Sequence, residues 1–316
     1  MHFFGSDLRF GSRFYRRDLE TYLSEFDGRN SHRLAGESSV WYLFSTQAAS
    51  EIKEFNPEAR IIIMLREPVE MLFSLYHVFR YDGNEQLPTF ELALAAEQER
   101  RTGGKITRQT YFPQGLLYRD VVRYSEQVER YFREFGRDRV HVILYNDFAT
   151  DPAGVYRQTL EFLGLQPTAN EQSFKVINES KCSCSPLLRR VLADRSLRGI
   201  AIKVARRLPR PIFRFLQAAE ERLWRLNGQV VKRTPMSPEL RSRLTCEFAP
   251  EVESLAQLLQ RDLGRWKGAA LEHFQTECYQ TSTVPRQLGQ MSRTNPALAS
   301  ATVGSKELST LSRALM

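Results

Sequence analysis

The chain has 316 residues, with 45 Lys or Arg against 37 Asp or Glu and a formal net charge of +8. A hydrophobic content of 42% can build a core, which excludes a wholly disordered chain, and the pI of about 9.4 favours anionic ligands without naming one. No apolar run approaches the roughly 18–20 residues a membrane-spanning helix needs, and no signal-peptide pattern opens the chain. The four cysteines, Cys182, Cys184, Cys246 and Cys278, form one C-x-C without a second pair, which is not a zinc pattern. Their sparse use suits a reducing compartment, so a cytoplasmic location is the expectation.

Taken in order, the chain opens on His2, Phe3 and Phe4, an aromatic, strand-like run with no element before it. Residues 14–26 read as a helix with Tyr15, Leu19, Tyr22, Leu23 and Phe26 as its buried stripe. A short strand at 35–39 and a short helix at 47–55 follow. Residues 61–65 (IIIML) are five apolar residues, β-branched at the start and preceded by an Asn-Pro turn, which reads as a strand buried on both faces. Arg66 ends it. Pro68 suits the first position of a helix, where its missing N–H would have no partner, and Leu72, Leu75, Tyr76 and Phe79 continue at helical spacing. A buried strand running straight into a helix puts Arg66 at the carboxyl edge of a parallel sheet, where open α/β folds bind ligands.

Arg66 offers a planar fork of donors that matches a phosphate, and Ser74, eight residues on, adds a hydroxyl from within the apolar face of the helix. The competing reading pairs Arg66 with a carboxylate and makes Ser74 a small core residue. Further on, Thr89 caps a helix over 89–101. The stretch TGGKIT (102–107) superficially suggests a phosphate loop, but it follows a helix where a Walker-type loop needs a buried strand, so it reads as a solvated turn. A longer helix is expected over 117–135 and a second buried strand over 139–145 (RVHVILY). Asp151 and Pro152 open another helix and Gly164 closes it. Alternating buried strands and helices of this kind mean an α/β fold with a parallel sheet.

Between 181 and 233 the composition shifts: 14 Lys or Arg stand against three acids, a local +11. Apolar residues recur at helical spacing, which suggests two basic amphipathic helices broken at Pro209 and Pro211. A solvated subdomain, a basic wall for an anionic acceptor and a peripheral membrane contact through 186–226 all fit; nucleic acid is not expected, because no reader motif accompanies the charge. Residues 237–266 read as helical in two pieces meeting near Pro250, with Ser237 as cap and Pro238 at the first position. Residues 275–316 are Ser/Thr/Gln/Pro-rich without periodicity and read as disordered.

Four stretches carry a resemblance. LREPVEMLFSLY (65–76), HFFGSD (2–7), GESSVWYL (36–43) and the long segment 123–152 resemble, in order and spacing, sulfotransferases that use 3′-phosphoadenosine 5′-phosphosulfate (PAPS), above all the bacterial and heparan-sulfate-type branch. The likeness covers about residues 1–180 well and 235–266 loosely, where Asp262, Leu263 and Trp266 match a closing Asp-Leu-x-x-Trp. It implies a three-layer, P-loop-NTPase-like parallel sheet flanked by helices. The core is expected at 1–180, a basic helical insertion at 181–233, the core's C-terminal helix at 234–274 and a tail at 275–316. It further implies that Arg66 and Ser74 hold the donor's 3′-phosphate, that His2 is the candidate catalytic residue, since relatives place an active-site His beside the two Phe, and that Ser38 stands where relatives place a substrate- or donor-contacting Lys.

The implied reaction is sulfuryl transfer from PAPS to a hydroxyl or amine of a sugar or other anionic acceptor, with no metal needed. Relatives carry a strand, a P-K-x-G-T-T loop for the 5′-phosphosulfate and a catalytic Glu ahead of the HFF run. This sequence shows none of them, so an N-terminally incomplete core of poor activity is the expectation. The alternative is a non-catalytic remnant that binds a nucleotide or an anionic polymer. A kinase on the same fold would need a phosphate loop after a strand, and the sequence shows no such loop.

Overall fold

The computed structural model describes residues 3–11, 18–27, 34–166, 181–183, 228–230 and 235–267. Helices α1 (Leu19–Ser24) and α2 (Ala48–Phe55) precede strand β1 (Ile61–Leu65) and helix α3 (Pro68–Asp82). Then come α4 (Phe90–Ala95), α5 (Glu97–Arg101), α6 (Tyr118–Val121), α7 (Tyr124–Phe135), β2 (Val140–Leu144), α8 (Tyr145–Thr150) and α9 (Pro152–Leu163). Short strands β3 (Lys181–Ser183) and β4 (Gly228–Val230) follow, and α10 (Pro238–Leu259) ends in a 3-10 turn at Gly264–Trp266.

β1 and β2 are parallel and in step, from Ile61 opposite Val140 to Leu65 opposite Leu144. Both strands therefore end at one level, and Arg66 and Tyr145 emerge side by side at the carboxyl edge. Among the described residues this sheet has two strands, so β1 is only partly enclosed. Ile63 and Leu65 are buried, while Ile61, Ile62 and Met64 are half-buried. Helix α7 lies against both strands, α9 against β2, and α10 against α7 and α3. Leu72, Leu75, Tyr76 and Phe79 of α3 are each under 5% exposed. Burial of such side chains stabilises the fold by about 1.5–3 kcal/mol apiece.

Local chemistry sets the element ends. The Glu67 carboxylate caps α3, accepting from the backbone N–H of Val69 at 3.0 Å and Glu70 at 2.8 Å, and Gly83 closes the helix at φ +87. Asp151 accepts from Gly154 N at 2.8 Å, Pro152 opens α9, and Gly164 ends it in the left-handed region. TGGKIT is a turn after α5, with Lys105 paired to Glu99 at 2.6 Å in solvent.

Several expectations change. The helix over 117–135 is two helices, because the backbone leaves helical geometry at Val122 (φ −103, ψ 19) and Arg123 (φ −75, ψ 61). The helix over 89–101 is likewise divided at Ala96. In the other direction, α10 runs unbroken through Pro250. Leu240, Leu244, Phe248, Val252 and Leu255 stay in phase against the core while Pro250 faces solvent, so burial on both sides offsets the roughly 3 kcal/mol an interior proline costs.

The ends of the stretch expected as basic helices form an antiparallel ladder, Lys181–Ser183 with Gly228–Val230, and β3 sits beside α3. That ladder brings the two ends of the 184–227 excursion together next to the ligand-edge helix. Residues 184–227 and 268–316, including the expected amphipathic helices and tail, lie outside the described residues.

The opening run is not a strand. Its backbone N–H groups are satisfied by side chains: Phe3 and Phe4 donate to the Tyr42 hydroxyl (2.8 and 3.1 Å), and Gly5 and Ser6 to Glu51 (2.7 and 3.1 Å). The Asp7 carboxylate accepts from Ser45 Oγ and Thr46 N, and Gln114 grips Asp7 O and Arg9 N. Gly5 sits at φ +82, where a Cβ would meet Leu8 at 2.8 Å, so the turn requires glycine.

Candidate functional site: the carboxyl edge of the sheet

Arg66 leaves β1 with a quarter of its side chain exposed. Its guanidinium lies over the Tyr145 ring, 5.1 Å from the centroid, and its Nη2 donates to Glu70 Oε2 at 3.2 Å. Tyr145 is the first residue past β2, and the register of the two strands delivers it here. Glu70 takes a second cation: its Oε1 accepts from Nη2 of Arg241, which arrives on the first turn of α10. Arg241 Nη1 also stands 4.0 Å from Glu67 Oε2. Burial pushes the Glu67 carboxyl up, partly offset by its bond from Val69 N and the charges of Arg241 and Arg66. Under this edge Tyr124 is fully enclosed, and burial raises its phenol with Glu67 adding to the effect.

Ser74 lies on the same helix face as Glu67 and Glu70, one turn beyond Glu70, and is 1% exposed. The structure thus brings Arg66 to the surface and leaves Ser74 enclosed, with Glu70 one turn from each. It also pairs Arg66 with a carboxylate, as the competing sequence reading has it. A phosphate there would compete with Glu70 for the same guanidinium. The N-terminal N–H groups of α3 are already taken by Glu67, so the anion-binding capacity rests on Arg66 itself.

Ser38 sits half-buried in an extended loop. Its neighbour Glu37 gathers three hydroxyls: Tyr22 at 2.8 Å, Ser39 at 2.6 Å and Tyr42 at 2.6 Å. Burial, then the Glu37 charge, pushes both phenols up. This ring of bonds, through Tyr42, anchors the Phe3–Phe4 backbone. His2 lies outside the described residues. Among the described residues no group of His, Cys, Asp and Glu is arranged to hold a metal ion.

Sequence reasoning missed Glu70, Tyr145 and Arg241. Glu70 had a signal, standing four residues after Arg66. Tyr145 follows a strand whose pairing partner is not written in the sequence, and Arg241 comes from 171 residues beyond Glu70.

A parallel α/β core with an arginine at its carboxyl edge, led out by a strand and followed at once by a helix, is an arrangement that can receive an anion. The sulfotransferase domain model matches residues 14–190, more than half of the chain, and the chain belongs to that family. A crystal structure of a sulfotransferase from Alicyclobacillus acidocaldarius superposes with a TM-score of 0.52 at 31% identity, covering 81% of this chain and 76% of that one. The P-loop-like sulfotransferase fold is thereby established.

Heparan sulfate glucosamine 3-O-sulfotransferase 3B1 of Mus musculus is 23% identical over 178 residues, 56% of this chain and 43% of that protein. Heparan sulfate glucosamine 3-O-sulfotransferase 6 of Homo sapiens is 25% identical over 170 residues, 54% of this chain and 46% of its own. The chain spans less than half the length of these curated relatives.

Proposed function

We propose that this protein moves a sulfuryl group from PAPS to a hydroxyl or amine of a carbohydrate acceptor. The observation that carries the donor half is Arg66, a partly exposed guanidinium at the carboxyl edge of the parallel sheet, with Ser74 two turns along the helix that follows. That geometry suits one phosphate group of the donor, with Arg66 as its charged contact and Ser74 as a hydroxyl donor once the edge opens. Family membership supports the transfer, and relatives named for sulfation of heparan sulfate glucosamine support a glycan acceptor. The local +11 over residues 181–233, whose ends close beside α3, favours an anionic sugar polymer.

The reaction needs a base for the acceptor proton and cations for charge on the leaving phosphate. Bound PAPS supplies the activated sulfate; Arg66 orients the 3′-phosphate end. Calorimetry with adenosine 3′,5′-bisphosphate tests the donor half. Arg66→Ala should lose about 2–5 kcal/mol of binding free energy, the cost of removing one partner of a desolvated charge pair. Unchanged affinity would refute the assignment. Transfer of labelled sulfate from PAPS to a panel of glycans tests the acceptor half, and binding without transfer to any of them would favour a nucleotide-binding remnant.

A further inference from the structure

The Arg66–Glu70 pair poses a problem for an anion site. An arginine and a carboxylate four residues apart can form a two-pronged fork, in which both guanidinium edges and most of the positive charge are consumed. That fork is not formed here. Glu70 gives Oε2 to Arg66 and Oε1 to Arg241, so each guanidinium holds one oxygen. Arg66 is also braced from another side by the Tyr145 ring. Of its five N–H donors, one is committed to Glu70 among the described residues, and the others remain for a ligand. Without Arg241, both oxygens of Glu70 would be free to close on Arg66.

We propose that Arg241 is a positioning residue for donor binding: by holding one oxygen of Glu70, it keeps Arg66 available to the donor's phosphate. This rests on the reading of Arg66 given above. Arg241 acts through Glu70 without touching the ligand, and that relay is what an experiment can isolate.

The test is calorimetry of adenosine 3′,5′-bisphosphate on the full chain and on Arg241→Ala, Arg241→Lys, Glu70→Gln, the Arg241→Ala/Glu70→Gln double variant and Arg66→Ala. Arg241→Ala should weaken binding about tenfold, equivalent to about 1.4 kcal/mol. Arg241→Lys, which keeps the charge, should recover most of that loss. Glu70→Gln should bind at least as tightly as the parent, since the competing carboxylate is gone. In the Glu70→Gln background, Arg241→Ala should change affinity less than twofold.

An equal loss in both backgrounds would mean that Arg241 meets the ligand or its field directly, and the relay would be wrong. Loss of binding in Arg66→Ala, with Arg241→Ala silent, would leave the reading of Arg66 standing and overturn the relay alone. An Arg66→Ala variant with parental affinity, or a parent that does not bind at all, would remove the Arg66 reading and the relay with it.

Discussion

Two charge clusters at opposite ends of α3 use the same residue types to different effect. At the start of the helix, Arg66, Glu70 and Arg241 are a quarter to nearly half exposed, and one carboxylate is shared between two cations. At its far end, Glu85 and Arg100 are sealed, with side chains 0% and 1% exposed. Glu85 there accepts four donors: Arg100 at 2.7 Å, Gln86 N and Leu87 N at 2.8 Å each, and Tyr118 Oη at 2.9 Å. Arg100 further donates to Ala93 O and Leu116 O, which ties α4, the 3-10 turn before α6 and the loop after α3 into one unit. A carboxylate with four donors and no water has no reason to change partners. A carboxylate at the surface, divided between two arginines, can be outcompeted by a phosphate. The sealed cluster is built to stay and the exposed one to exchange, and only the exposed one lies at the ligand edge of the sheet.

Breaking the sealed pair should have the largest effect. Arg100→Met keeps much of the side-chain volume but strands Glu85 as a buried charge, and such changes cost about 3–5 kcal/mol. Urea unfolding followed by circular dichroism measures it. A loss below about 1 kcal/mol would show that Glu85 is wet or protonated, and the contrast between the clusters would collapse.

A finer probe is Tyr118→Phe. The ring stays in the core, where Tyr118 is 0% exposed, and only the bond to Glu85 Oε2 goes. Burial and then the Glu85 charge push this phenol up, so at neutral pH the hydroxyl is the donor and the carboxylate the acceptor. Losing a bond to a charged acceptor should cost about 1.5–3 kcal/mol by the same unfolding measurement. A neutral result would mean that the three remaining donors suffice.

The exchangeable cluster was partly legible in the sequence and the sealed one was not. Arg66 stood out because local signals converge on it: a β-branched apolar run, an abrupt stop, and a proline at the first helical position. The brackets of α9, Asp151-Pro152 and Gly164, were readable for the same reason, since caps are made by neighbours in sequence. Glu85, Arg100 and Tyr118 are 15 and 33 residues apart across a helix end and a turn, and no periodicity distinguishes a buried charge from a solvated one. The continuity of α10 through Pro250 is decided by what its two faces meet, the core on one side and solvent on the other. The opening run misled because aromatic residues suggest a strand, whereas side chains of Tyr42 and Glu51 supply its hydrogen bonds.

The smallest expected effect concerns the stability of the exchangeable cluster. Arg241→Ala and Glu70→Gln should each change unfolding free energy by no more than about 1 kcal/mol, because half-exposed ion pairs gain little over water and lose side-chain freedom. Salt sharpens the contrast with the sealed pair. At about 1 M the screening length falls to about 3 Å, so whatever these two variants lose at low salt should shrink toward zero. The loss in Arg100→Met should persist, since neither salt nor water reaches Glu85. Unfolding curves of all three variants at low and high salt give the comparison directly. If Arg241→Ala cost several kcal/mol independently of salt, the edge cluster would be structural cement like its counterpart. The contrast between an exchangeable cluster and a sealed one would then fall.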